Sequence, residues 1–195
     1  QCFNGYKGAL AVEPSSQIIT AVDVIPANAH DSQDAQALID ESAEKTGLSV
    51  TTVIGDGAYG TIEARLDAQE AVKPYSLVAP VAQMPRTGRF TKEDFHIDIE
   101  HSEVRCPAGE LTRTYSRRTE KKRTGRTFAY RSYRFAPKQC GACALRTQCL
   151  KQTTPYRSVL VHEHEGLVTD AKAFQRTDIF RRIYRTRVAV EHRIA

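Results

Sequence analysis

A mixed α/β core interrupted by a β-rich segment is the fold class that the sequence predicts, and three observations predict it. Strand-like and helix-like runs alternate through the first eighty or so residues, in the order strand, strand, helix, strand, helix, strand. At about residue 84 the pattern changes to short alternating segments separated by turns. An amphipathic helical pattern then resumes near Thr169 and runs to the end. The expected organisation is a first core segment over 1–84, a β-rich basic insertion over 85–165 and a C-terminal helical segment over 166–195 that returns to the core.

Each element has its own warrant. "GYKGALAV" (5–12) and "QIITAVDV" (17–24) flank the turn-forming "EPSS" and read as an antiparallel hairpin. In the stretch that follows, Asp31 is a plausible N-cap, Ala35, Leu38, Ile39 and Ala43 supply an apolar helix face, and Gly47 is a natural stop. "LSVTTVIGD" is β-branched and reads as a buried strand ending at Gly55-Asp56. "GTIEARLDAQEA" suggests a short helix and "KPYSLVAPV" a further strand. The polar, breaker-rich "QMPRTGRFTKED" marks a boundary, beyond which "FHIDIE", "EVRC", "TFAYRSYRFA" and "YRSVLVHEH" read as short strands.

Composition narrows the class. The chain has 195 residues, 41% apolar and 26% charged, which is globular rather than disordered composition. No apolar run is long enough to span a bilayer, and no charged-then-apolar leader opens the chain, so a cytoplasmic protein is expected. The net charge of +5 is mild, but it is unevenly placed. Arg113, Arg117, Arg118, Lys121, Lys122, Arg123, Arg126, Arg131, Arg134 and Lys138 share one stretch with a single acid, Glu120. Tyr115, Phe128, Tyr130, Tyr133 and Phe135 are interleaved. Such a stretch suits a polyanion, because each cation that meets a phosphate releases a condensed counterion. A solvated hairpin with charged outer faces is the other reading.

Two carboxylates stand out. Asp56, in "VIGDGAYG", falls at the C-terminal end of a buried strand, the edge where α/β sheets build their sites, with Gly55, Gly57 and Gly60 leaving room for a tight turn. Taken alone, an Asp-Gly turn is also an ordinary structural device. In "RIYRTRVAVEHRIA", Tyr184, Arg187 and Glu191 align along one side of a helix, bordering a core-like stripe of Ile179, Ile183, Val190 and Ile194. A strand-end Asp and a helical Glu that converge offer hard oxygen ligands to Mg²⁺ or Mn²⁺. Two such ions ~3.5–4 Å apart activate an attacking hydroxyl and stabilise a leaving oxygen. Arg187 would then meet a phosphate and Tyr184 a terminal nucleotide. The alternative for Arg187 and Glu191 is a surface i,i+4 ion pair.

Cys106, Cys140, Cys143 and Cys149 all fall in the insertion. Cys140-Gly-Ala-Cys143 has the loop length that lets two thiolates meet one metal, so a structural Zn²⁺ with four sulfur ligands is one reading. Reduced, partly buried thiols are the other. His192 follows Glu191 but points about 100° away on a helix, outside such a carboxylate site.

"GYK", "GDGAYG" and the spacing Tyr184-x2-Arg187-x3-Glu191 together resemble the DDE transposases of bacterial insertion sequences, over nearly the whole chain. The resemblance implies an RNase H-like mixed sheet flanked by helices, with a β-rich, cysteine-containing insertion before the helix that carries the catalytic Glu. It implies metal-dependent strand cleavage and strand transfer on DNA, both transposon ends and target, by a protein that works as a dimer. Asp56 and Glu191 would be Mg²⁺ ligands, Arg187 and Tyr184 end-positioning groups, and the basic hairpin a backbone-contact surface. The family's first catalytic Asp lies on a strand upstream of "GYK", and its motif Lys would fall at position 198. The chain is therefore expected to be a transposase segment that is inactive by itself. Asp23 sits on the third family strand, and Asp31 and Asp34 suit helix capping, so none is expected to replace the absent acid. Two rivals remain: a zinc-stabilised nucleic-acid-binding module without catalysis, and a metal-dependent nuclease or phosphatase on the same scaffold.

Overall fold

A computed structural model describes the backbone of residues 4–82, 88–122 and 125–194, and the side chains of these up to Glu191. Arg123, among the basic residues singled out above, lies outside the described residues, as does the "QMPRT" (83–87) of the boundary. The chain is a mixed α/β protein with several small sheets, and it divides into two compact units, residues 1–82 with 167–195 and residues 83–166.

The first unit opens with an antiparallel hairpin, β1 (Tyr6–Val12) and β2 (Ile19–Pro26), in which Leu10 pairs with Val22. Its connection is organised by Glu13, whose carboxylate accepts hydrogen bonds from the Ser15 and Ser16 backbone amides and from Ser16 Oγ, at 3.0, 2.6 and 2.6 Å. Those donors pull the Glu13 pKa down to about 2. Helix α1 (Ala35–Thr46) packs against both strands, and Leu38, Ala21 and Ile25 are buried. It begins one turn later than expected: Asp34, not Asp31, occupies the N-cap position, without a side-chain capping hydrogen bond, and Asp31 pairs with the Lys7 ammonium. Gly47 ends the helix with φ 68°, a left-handed value that costs glycine nothing.

Strand β3 (Thr52–Ile54) and β4 (Ser76–Val78) pair in parallel, joined by helix α2 (Ile62–Glu70), whose Thr61 N-cap side chain accepts from the Ala64 amide. Both strands are shorter than their β-branched runs suggested. Among the described residues the β1–β2 and β3–β4 pairs are not hydrogen-bonded to one another. Three helices close the chain: α5 (Glu165–Gln175), α6 (Asp178–Arg185) and α7 (Val188–Ile194). Helix α6 packs against β4, and α7 against β1.

The second unit holds two antiparallel three-stranded sheets. One is β5 (His96–Asp98), β6 (Glu103–Arg105) and β7 (Leu111–Thr112). The other runs β8 (Tyr115–Lys121), β9 (Thr127–Arg134) and β10 (Ser158–His162), with β9 in the middle. Phe95, Val104, Tyr133, Phe135, Val159 and Val161 form its core. Two short helices that periodicity did not signal, α3 (Pro137–Gly141) and α4 (Arg146–Cys149), carry Cys140 and Cys149. Among the described residues no helix is long and apolar enough to cross a membrane.

Candidate functional site

Asp56 stands two residues beyond β3, at the head of a single 3-10 turn (Gly57–Tyr59). Its Oδ1 accepts the Ala58 amide at 2.8 Å, which fixes the side chain and leaves Oδ2 without a hydrogen bond among the described residues. The turn is pinned because the Gly55 amide donates to the Val78 carbonyl at 3.1 Å, tying the start of the loop to β4. The glycines are not equivalent. A Cβ on Gly60 would lie 1.8 Å from the Pro80 carbonyl oxygen, and one on Gly55 would lie 2.8 Å from Tyr59 Cβ. A Cβ on Gly57 would meet nothing within 4 Å, so that glycine is not needed for the turn as the sequence suggested. Tyr59 is half-buried, and its hydroxyl is pushed above the ordinary tyrosine range, first by burial and then by the charges of Asp56 and Asp31. Both acids thus act on the same phenol, a neighbourhood that no short motif announced. Asp31 is held there by Lys7, which also donates to the Ala29 carbonyl at 2.5 Å.

The helix expected to align Tyr184, Arg187 and Glu191 is broken between them. Tyr184 lies on α6, Arg187 in the connecting turn and Glu191 on α7. Around the break the backbone tightens: the Arg187 amide donates to Tyr184 O at 3.1 Å and the Val190 amide to Arg187 O at 2.9 Å, both three residues back. The apolar register shifts with it. Phe180 and Ala189 are buried, at 5% and 8% exposure, whereas Ile179 is 54% exposed and so does not belong to the core stripe that periodicity assigned to it. Arg187 still meets both of the other motif residues. Arg187 Nη2 donates to Glu191 Oε1 at 2.5 Å, and its guanidinium stands 5.7 Å from the Tyr184 ring centre. Tyr184 in turn stacks on Phe180, rings 5.3 Å apart. Glu191 is exposed, so this pair contributes about 0.3–0.5 kcal/mol to folding.

Donor chemistry at these acids suits a hard divalent ion: free carboxylate oxygens on Asp56 and Glu191, with water and phosphate able to complete the shell. Among the described residues no group of three or more His, Cys, Asp or Glu is arranged to hold an ion.

In the second unit the structure gathers all four cysteines. Cys106, Cys140, Cys143 and Cys149 line one cavity of about 30 Å³ with Phe135 and Arg157. None is in a disulfide. Burial raises the Cys149 thiol pKa above its ordinary value, the Arg157 cation opposes that, and the charges of the three other cysteines add to it. The Arg157 amide donates to Cys140 Sγ at 3.5 Å.

The basic residues of the second unit divide by partner. Arg113 pairs with Glu103 and Lys122 with Glu120, at 2.6 and 2.7 Å, while Arg134 lies over the Tyr156 ring. Arg117, Arg118, Lys121, Arg126 and Arg131 lie on or beside β8 and β9. A network missed by sequence reasoning joins His162, Glu165 and Lys92: buried Glu165 accepts the Lys92 ammonium at 2.5 Å and the His162 amide at 3.0 Å.

These features define a mixed α/β protein with a strand-end carboxylate and a basic, cysteine-bearing β-rich unit. The chain belongs to the transposase DDE domain family, whose model matches residues 1–195. Membership makes it a transposase-type protein whose substrate class is DNA, in a family that typically uses a divalent metal. No curated protein and no solved structure matches it significantly.

Proposed function

We propose that this chain is the part of a DDE transposase that supplies Asp56 and Glu191 to a Mg²⁺ or Mn²⁺ centre, for cleavage of transposon ends and transfer of the freed 3′-hydroxyl to target DNA. The observation that carries the reading is the family match along residues 1–195 combined with Asp56 at a strand end, one carboxylate oxygen fixed and one unbonded. Bound divalent ions supply activation of the attacking oxygen and charge neutralisation at the leaving one. The protein's own contribution is placement. Asp56 is held by its turn, and Arg187, now on Glu191, is the cation that would meet a DNA phosphate. Tyr184, kept flat by Phe180, offers a stacking face to a terminal nucleotide. In this reading the β1–β2 and β3–β4 pairs belong to one RNase H-like mixed sheet, residues 83–166 are its insertion, and the enzyme acts as a dimer. The test uses the complete gene product with its flanking segments. Asp56→Asn and Glu191→Gln should abolish cleavage and joining with Mg²⁺ while leaving DNA affinity near parental. Parental rates in either variant would overturn the assignment.

We further propose that the four cysteines hold a structural Zn²⁺, because all four line one cavity large enough for about one water-sized particle. Burial holds the Cys149 thiol protonated in the metal-free chain, with Arg157 opposing it only in part, so a bound cation would have to displace that proton. Closing the shell requires the thiols to draw inward. Metal analysis of purified protein should give one zinc per chain, lost together with folding of the second unit in Cys140→Ser. Substoichiometric zinc with four freely titratable thiols in the folded state would refute it.

A further inference from the structure

The cations of the second unit need not all meet DNA in the same way, and the sheet separates them. Successive residues on a strand point to opposite faces. Arg117 and Arg131 are direct partners across β8 and β9 and share one face, whereas Arg118, opposite Tyr130, is on the other. Two like charges directly opposite one another destabilise a sheet unless something offsets them. No acid does so here: among the described residues Arg117 has no ion pair or hydrogen bond. The pair opens into a cleft of about 240 Å³ lined on this face by Ile99, Ala129, Tyr133 and Val161, and also bordered by Tyr130 and His162 of the other face. The single acid on its wall, Glu163, has its Oε1 taken up by the Ala129 amide at 2.6 Å.

Arg131 is held in place from two sides. Its Nη1 donates to Ser102 Oγ at 2.6 Å, and its guanidinium lies 5.4 Å from the Tyr115 ring centre. Ser102 adopts φ 52°, a left-handed conformation that side chains such as serine enter rarely and at some cost. Ser102 closes the turn between β5 and β6, its amide donating to the Ile99 carbonyl at 3.3 Å, and from there its hydroxyl holds Arg131 beside the cleft.

We propose that Arg117 and Arg131 form a clamp for one backbone phosphodiester of DNA, in the cleft between the 99–102 turn and the β8–β9–β10 sheet. This rests on the DNA reading above and deepens it: one phosphate is gripped by two guanidiniums, and the cations on the opposite face supply only diffuse attraction. Guanidinium is the right group, because its planar fork meets phosphate oxygens pairwise.

The experiment has two arms. In the first, anisotropy of a labelled duplex gives the slope of log affinity against log salt for the parent chain, Arg117→Ala, Arg131→Ala, the double variant and Arg118→Ala. Because one phosphate accounts for about 0.9 of slope, the double variant should lose about 0.9 in total, not about 1.8. Arg118→Ala should lose clearly less affinity than either clamp variant. In the second, inorganic phosphate at fixed ionic strength should raise the melting midpoint of the parent and of Arg118→Ala, but not of Arg117→Ala or Arg131→Ala. Arg117 is exposed, so its variant should fold, with a phosphate-free midpoint at or above parental as the repulsion disappears. Arg131→Lys keeps the charge and should still lose most of the phosphate response. DNA binding with all three single variants alike would overturn the clamp and leave the DNA reading intact. A phosphate response confined to the clamp, in a chain that does not bind DNA, would do the reverse.

Discussion

Gly60 offers the sharpest test of how the turn places Asp56. Substituting alanine puts a Cβ 1.8 Å from the Pro80 carbonyl oxygen and 2.8 Å from its carbon. Real Cβ contacts start at 3.0 Å, so the two backbones must part by at least 1.2 Å. Both are backbone groups and neither can rotate away. Overpacking of this kind costs about 1–3 kcal/mol, which for a chain of this length lowers the melting midpoint by about 2–4 °C per kcal/mol. The catalytic consequence should be larger than the thermal one. Gly60 donates its amide to Gly57 O at 3.2 Å inside the turn that Asp56 heads, so the carboxylate moves with it. A displacement near 1 Å at a reacting centre costs on the order of 10²-fold in rate. Gly57→Ala is the internal control, three residues away in the same motif. Its Cβ meets nothing within 4 Å, and its φ is not positive. Alanine there should be neutral, or stabilise by up to about 1 kcal/mol through the unfolded chain. The assays are thermal melts of each variant and Mg²⁺-dependent cleavage by the corresponding complete gene product. If Gly60→Ala melts and cleaves like the parent, or Gly57→Ala is the more damaged, the account of this turn is wrong.

Other outcomes follow from the same geometry. Arg187→Ala should change stability by less than about 0.5 kcal/mol, since it removes an exposed ion pair, yet reduce strand transfer far more; equal small losses in both would demote Arg187 to a surface residue. Burial, with the nearby His164 charge adding to it, holds the His162 imidazole below its ordinary 6.5. A histidine whose folded pKa is depressed contributes stability that is complete above its unfolded value and lost as pH falls through the folded one. Denaturant midpoints should therefore fall between about pH 6.5 and the acid side of it, less so in His162→Gln. Glu13 carries the same sign at lower pH. Its stabilisation is present above 4.5 and disappears as pH falls through about 2, so its carboxyl resonance should titrate near 2, and Ser16→Ala should move that midpoint upward.

What the sequence revealed was local, and what it hid was long-range. The β1–β2 hairpin, the α1 stop at Gly47 and the short helix α2 each depend on residues within a few positions of one another, and each was legible as written, although the Thr61 cap of α2 was not read. Asp31 looked like a cap because nothing nearby in sequence said that Lys7, 24 residues earlier, would claim it. Helices α3 and α4 were invisible for a related reason: each is about one turn long, too short for a period to show. The cysteines were readable as a set but not as a cavity, since Cys106 lies more than thirty residues before the others and joins them through the core that Phe135, Tyr133 and Val104 build. Ser102 carried no signal at all. Its importance lies in a contact with Arg131, 29 residues on, and in a backbone angle.

The C-terminal motif shows why spacing can survive when the geometry behind it changes. A continuous helix from Asp178 would carry one apolar face, fixed in direction. The tightened turn at Thr186–Arg187 lets the chain change direction, so that α6 packs on β4 and α7 on β1. The helix carrying Tyr184 is thus joined to the strand pair that leads into Asp56, and the helix carrying Glu191 to the hairpin that carries Lys7. Within the turn the residues three and four apart remain neighbours, so Arg187 reaches both Tyr184 and Glu191 as it would on an unbroken helix. The consequence is a distinction that mutation can read. Straightening the turn, for instance with Thr186→Ala, which removes the hydroxyl hydrogen bond to the Ile183 carbonyl at 2.7 Å, should leave the Arg187–Glu191 pair intact. It should instead loosen α7 from β1, seen as faster amide exchange in residues 188–194 with α6 unchanged. Uniform exchange along both helices would mean that they move as one, and that the break does not serve to seat them separately.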